Sequence, residues 1–160
     1  MVWWQIHRVG DWQLSAELVQ RWSLRGLFDI NKTLWACWVV ESTEQKMFFP
    51  VDTGYPRNFK VISEHFGSID ISSIPIGVYA PRWFIQDMYV NPEEAVQIHQ
   101  GVQSRFSVGM HWWTFLNFTN ELLLELAQRR KEVLTERKLS PDIFITLNPA
   151  KPSGSKRLQP

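Results

Sequence analysis

Apolar positions along the chain fall into short runs separated by turn-forming residues. Leu14 to Leu18 and Leu34 to Val40 have strand composition, and the second run is nearly continuously apolar. Gly26 and Asp29-Ile30-Asn31-Lys32 supply turn chemistry between them, so a hairpin or near-hairpin is predicted. Met47 to Val51 forms a further short strand after the polar turn Ser42 to Lys46, and Asp52-Thr53-Gly54-Tyr55-Pro56 ends it sharply. Phe59, Ile62 and Phe66 recur at helical spacing and stop at Gly67, after which Ile69 to Ile76 returns to strand character.

The next helix is marked at its start. Asn91 stands at the cap, Pro92 at the first helical position and Glu93-Glu94 in the first turn, which predicts a helix to about Gln100 that ends near Gly101. Phe106 to Met110 reads as a strand and Ile143 to Leu147 as a last short one. Between them Glu121 to Glu136 reads as an amphipathic helix with Leu122, Leu126, Arg130 and Val133 along one side. Strands alternating with helices give an α/β class; the order of the strands does not follow from the pattern. There is no internal repeat. The tail 150–160, rich in Pro, Gly, Ser and Lys, is predicted to be flexible.

Composition narrows the function classes. A net charge of +1 over 160 residues offers no long-range attraction to nucleic acid, so no nucleic-acid partner is expected. Cys37 is the sole cysteine, which excludes an intrachain disulfide and a cysteine-based zinc site and suits a reducing, intracellular compartment. No apolar run approaches the roughly 20 residues of a membrane span, and the start lacks a secretory signal pattern. Nine tryptophans, paired at Trp3-Trp4 and Trp112-Trp113, are more amphipathic surface than a domain of this size buries. Some are expected to face another protein or a peripheral lipid surface.

Several motifs are specific. Pro75-Ile76-Gly77-Val78-Tyr79-Ala80-Pro81-Arg82-Trp83-Phe84 is followed by Val90 to His99. Asp52-Thr53-Gly54-Tyr55 and Met110-His111-Trp112-Trp113-Thr114-Phe115 flank that region, and Gln20 to Asp29 with Asn31 to Trp35 lies upstream. In this order, from about Trp3 to about Pro149, the chain resembles the N-acyl-phosphatidylethanolamine-hydrolysing phospholipases of the D type, which have the metallo-β-lactamase fold. The resemblance implies half of an αββα sandwich, here a partial domain over 1–149, and a family site of two zinc ions.

Carried over residue by residue, the resemblance makes Asp52 the bridging carboxylate and His111 the last histidine ligand, both as vestigial positions. The family's HxHxDH motif, which supplies four ligands, has no counterpart between Met1 and Leu18. The histidine of its PAQHW motif is Arg21 here. A guanidinium has no free lone pair and stays protonated, so it repels the cation that an imidazole would bind. Other departures are Val51 for the glycine of GDTGY, Ala80 for glutamate, Tyr89 for histidine and Trp113 for the glycine of HWGTF.

The expected function is therefore a non-catalytic remnant without a cofactor. It would act as a structural or interaction subunit of a larger, organellar (mitochondrial) assembly whose other chains cover the missing half-domain surface. The alternative is a split zinc-dependent phospholipase D-type hydrolase completed by a second chain that carries HxHxDH.

Further expectations concern individual side chains. Asp52 caps or hydrogen-bonds its own turn and His111 is a satisfied buried histidine. His7, His65 and His99, which are dispersed, are ordinary residues. Arg129-Arg130-Lys131 is a solvated helix face, and Glu93-Glu94 serves the helix start. Arg82, Trp83, Trp112 and Trp113 are assigned to packing in preference to a phosphate-and-acyl recess.

Overall fold

A computed structural model describes residues 2–23, 26, 28–56, 59–112 and 123–147. Seven strands form one sheet in sequence order: β1 (Ile6–Val9), β2 (Trp12–Glu17), β3 (Cys37–Glu41), β4 (Lys46–Phe49), β5 (Ile69–Pro75), β6 (Ser104–Met110) and β7 (Phe144–Thr146). The first four pair antiparallel and β4 to β7 pair parallel. The parallel pairs need crossovers, and the helices α1 (Phe59–Phe66), α3 (Pro92–Gly101) and α4 (Leu123–Glu136) lie in those connections. A short helix, α2 (Arg82–Ile85), precedes α3.

The register separates two faces. Ser15, Val39, Phe48, Ser72, Ser107 and Phe144 lie side by side across β2 to β7. All six are buried. The helices cover this face: the Phe59 ring of α1 meets Phe48 edge-on with centres 6.0 Å apart and has Tyr55 beside it at 5.9 Å, and His99 of α3 stacks on Phe144. The neighbouring row, Leu14, Val40, Met47, Ile71 and Phe106, lies on the other face. There Met47 and Ile71 are exposed and the other three are half-buried.

Predicted elements and observed ones coincide in kind. The Asn91 side chain accepts from the Glu94 N–H while the Glu94 carboxylate accepts from the Asn91 N–H, so the start of α3 is a complete capping box. Glu93 and Glu94 also hold Arg129 and Arg82. Besides a 3-10 turn at Pro141–Ile143, two elements are not marked in the sequence pattern. β1 is exposed at every position and shows no apolar alternation; it forms by pairing with β2 through a turn in which Gly10 has φ +59°. α2 is a single turn, too short for periodicity to show.

The charged run on α4 corrects the sequence reading. Arg129 reaches Glu93, Glu132 and Glu136 on the surface, but Arg130 is only 2% exposed. It lies on the same helix side as Leu126 and Val133, with its guanidinium over the Phe144 ring at 5.7 Å. Helical spacing, and not membership of a basic run, decides its direction. The predicted first residues of that helix and the tail 150–160 lie outside the described residues.

Candidate functional site

β2 runs in the same direction as β4, β5 and β6, because two antiparallel pairings separate it from β4. The loops that follow these four strands therefore meet at one end of the sheet, where open α/β sheets place their ligands. Arg21 follows β2, Asp52 follows β4, the segment 76–91 follows β5 and His111 follows β6.

Two glycines set the loops in contact. Gly54 donates its N–H to the Gln20 carbonyl at 2.9 Å and sits so close to Asp87 that a Cβ there would lie 2.5 Å from the Asp87 carbonyl oxygen. Gly77 lies against the backbone of His111, and any Cβ would overlap that carbonyl. His111 itself has φ +58°, which turns its side chain out of the strand line toward Asp52.

Asp52 is the centre of the cluster. Its Oδ2 lies 3.0 Å from Arg21 Nη2, and its Oδ1 lies 2.8 Å from His111 Nδ1. Arg21 is held in place by more than that charge. It donates to the Met88 carbonyl at 3.3 Å and to the Tyr89 hydroxyl at 3.2 Å, and its guanidinium lies 4.6 Å from the centre of the Tyr89 ring. Burial alone would raise the Asp52 carboxyl. The hydrogen bond and charge of His111, with the charge of Arg21, outweigh this and hold it below the ordinary carboxylate range.

The structure thus brings both predicted ligand positions together and adds Arg21 and Tyr89 to them. Asp52, expected to cap or hydrogen-bond its own turn, instead directs its carboxylate to Arg21 and His111; within the turn Gly54 N–H donates to the Gln20 carbonyl and Thr53 Oγ1 to the Gly54 carbonyl. His111 is about a quarter exposed and not fully buried. Arg82 is bound to Glu94 at 2.7 Å and to the Tyr89 carbonyl at 2.9 Å. Trp83 is 81% exposed, so neither packing nor a recess accounts for it, whereas Trp112 is buried. Trp113 lies outside the described residues. His99 is buried with its Nδ1 2.8 Å from Ser107 Oγ, and it is remote in the fold from this end of the sheet.

Among the described residues no three His, Cys, Asp or Glu side chains cluster as metal ligands, and no helix is long and apolar enough to cross a membrane. A permanent cation 3.0 Å from the Asp52 carboxylate is the wrong neighbour for a dication. The described donor set, one carboxylate and one imidazole beside a guanidinium, does not fit a two-zinc group.

Val51 carries a cost of this loop. It is β-branched yet has φ +59°, a left-handed conformation that suits glycine. Val51→Gly relieves strain of about 1–2 kcal/mol and gives back part of it in lost packing and added chain entropy. A net gain of about 0.5–1 kcal/mol is expected. Urea denaturation measures it; a loss of stability would show the loop to be unstrained.

The fold and this strand-end cluster define a β-lactamase-type α/β sheet domain. The chain belongs to the beta-lactamase superfamily domain family, whose profile matches residues 1–112. It is 38% identical over 153 residues to N-acyl-phosphatidylethanolamine-hydrolyzing phospholipase D 1 of Caenorhabditis elegans, covering 86% of this chain and 43% of that protein. It is 32% identical over 141 residues to the mitochondrial N-acyl-phosphatidylethanolamine-hydrolyzing phospholipase D of Saccharomyces cerevisiae, covering 84% of this chain and 30% of that one. The chain thus spans less than half the length of these relatives. Among solved structures, a metallo-hydrolase of Ignicoccus hospitalis superposes with a TM-score of 0.67 at 14% identity, over 93% of this chain and 57% of that one.

Proposed function

We propose that this chain is a non-catalytic relative of metal-dependent hydrolases, in which a guanidinium has taken over the electrostatic role of a metal, and that it serves as a structural or interaction subunit. The single observation that carries this reading is the Arg21–Asp52 contact at 3.0 Å, buttressed by Tyr89. Arg21 and Tyr89 both stand at histidine positions of the family motifs, and they touch each other. Independent surface drift gives no reason for two altered positions, 68 residues apart, to form one contact with the remaining ligand. Replacement of cation binding by an internal ion pair does. The name of the yeast relative places that protein in the mitochondrion, which supports carrying a mitochondrial assembly as the proposed setting.

A second reading has one observation in its favour. Asp52 and His111 still meet at 2.8 Å, so a separate chain bearing HxHxDH would find two ligating groups adjacent. This is the split phospholipase D-type hydrolase. Elemental analysis of the native protein with any associated chains, alongside an assay for phosphodiester lipid hydrolysis, decides between them. The proposed function predicts no stoichiometric zinc and no hydrolysis. Stoichiometric zinc that disappears together with hydrolysis in His111→Ala overturns it and establishes the split enzyme.

A further inference from the structure

A cavity on the helix-covered side of the sheet takes no part in the strand-end cluster. It measures about 410 Å³ and lies between the start of α1, the last turn of α3 and the residue after α4. That is the volume of a small-molecule site. Close packing fixes its walls. Ser63 Oγ donates to the Gly101 carbonyl at 2.8 Å, and a Cβ on Gly101 would lie 3.3 Å from Phe59 Cβ, so the end of α3 is clamped against the start of α1. α4 stops where Lys138 takes φ +58° and Leu139 donates its N–H back to the Leu134 carbonyl at 2.8 Å, which sets Arg137 at the edge of the cavity. Tyr55 adds a ring 5.9 Å from that of Phe59.

The polar groups on these walls are mostly donors. Lys60 and Arg137 both line the cavity, and no Asp or Glu among the described residues does. Arg21, Lys46, Arg82, Arg105 and Arg129 each hold a carboxylate, whereas Lys60 and Arg137 hold none among the described residues. Arg137 Nη1 donates to Gln100 Oε1 at 2.8 Å, which leaves the Gln100 NH2 group as a donor, and Gln97 brings a second carboxamide. Lys60 also stands in the first turn of α1, which has no acidic residue. The helix dipole disfavours a cation there, and a neighbouring anion offsets that cost. Burial, countered in part by the Arg137 charge, holds the Tyr55 hydroxyl above its ordinary value, so it stays protonated.

We infer that this cavity binds a phosphate monoester, with the phosphate between Lys60 and Arg137 and the organic group against the Tyr55 ring. Two cations match the nearly two negative charges that such a group carries at neutral pH, and the Arg137 fork suits its oxygens. The carboxamide and phenol donors serve the remaining oxygens. A monocarboxylate brings one charge and two oxygens, too few for this set. The volume exceeds what the phosphate fills, and the Tyr55 and Phe59 rings give the rest of the ligand an aromatic wall. Lys60 and Arg137 are exposed, so salt weakens binding. The inference goes beyond the proposed function and does not depend on it.

Phenyl phosphate titrated into the whole chain at low ionic strength, followed by heteronuclear NMR, tests this. Saturable shifts of the Gln97 and Gln100 side-chain amides and of the Gly101 N–H are expected, and inorganic phosphate should compete. Lys60→Gln and Arg137→Gln should each weaken binding about tenfold, the worth of one charge-assisted hydrogen bond. Lys131→Gln, on α4 but outside the cavity, should leave it unchanged. Benzoate should bind about tenfold more weakly than phenyl phosphate. Vesicles carrying a phosphatidylinositol monophosphate separate a lipid headgroup from a soluble ester. If they bind in a Lys60- and Arg137-dependent way while phenyl phosphate gives no shifts, the phosphate site stands and its ligand is the headgroup. Neither saturable shifts nor such vesicle binding overturns the inference. Equal losses in all three glutamine variants, or benzoate binding as tightly as phenyl phosphate, overturn it too. Should a glutamine variant fail to fold by circular dichroism, the wild-type amide shifts and the benzoate comparison still decide.

Discussion

Gly77→Ala is expected to destabilise the protein by about 3 kcal/mol or more and to detach His111 from Asp52. The new methyl group has no space. It would overlap the His111 carbonyl oxygen, with the His111 carbonyl carbon at 3.0 Å and Leu126 Cδ1 at 3.2 Å. Backbone on one side and a core leucine on the other leave no flexible side chain to yield, so the strand end of β5 and the loop after β6 must separate. For a domain of this size the midpoint of thermal unfolding should fall by on the order of 10 °C. Gly10→Ala is the matched control. Gly10 has φ +59° but nothing within 4 Å of a built Cβ, so it costs only the left-handed backbone term, about 1 kcal/mol. Equal losses for the two variants would remove the steric argument. A shift of the His111 resonance in Gly77→Ala, absent in Gly10→Ala, would register the displaced imidazole.

What could be read in advance followed the strength of the local signal. The cap of α3 and the Phe59-Ile62-Phe66 spacing of α1 are local grammar, and both helices lie where that grammar puts them. β1 is different. Ile6-His7-Arg8-Val9 has no buried side, and its strand form comes from hydrogen bonding to β2, a partner supplied by topology. Arg130 is a case where two local signals conflict: helical spacing sets it beside Leu126 and Val133, its place in a run of cations suggests a solvated face, and the spacing prevails. At the site, Asp52 and His111 could be named from their motifs. That Arg21 would lean on Tyr89 and Asp52 could not, because the three residues belong to loops after different strands and only the strand order brings those loops to one end of the sheet.

The same triad supports the second large effect. Arg21→Met should lower stability by about 2 kcal/mol at neutral pH, because it leaves a carboxylate that is only a quarter exposed with a single titratable partner. Complete burial would raise that figure and full exposure would remove it, so the intermediate value follows from the side-chain exposure of 24% on both partners. Arg21→Lys should recover part of the loss. It keeps the charge but gives up the planar contacts with the Tyr89 hydroxyl, the Tyr89 ring and the Met88 carbonyl. The pH dependence distinguishes an electrostatic role from packing. The folded state holds the Asp52 carboxyl below its ordinary value, so its contribution is fully present above the unfolded pKa and is lost as pH falls through the folded one. Removing Arg21 raises the folded value, which shrinks the contribution and moves the acid limb of the stability curve to higher pH. The Arg21→Lys limb should lie closer to that of the wild type. If Arg21→Met lowers stability by the same amount at pH 3 as at pH 7, the guanidinium acts there as filler and the case for a cation substituted by an ion pair fails.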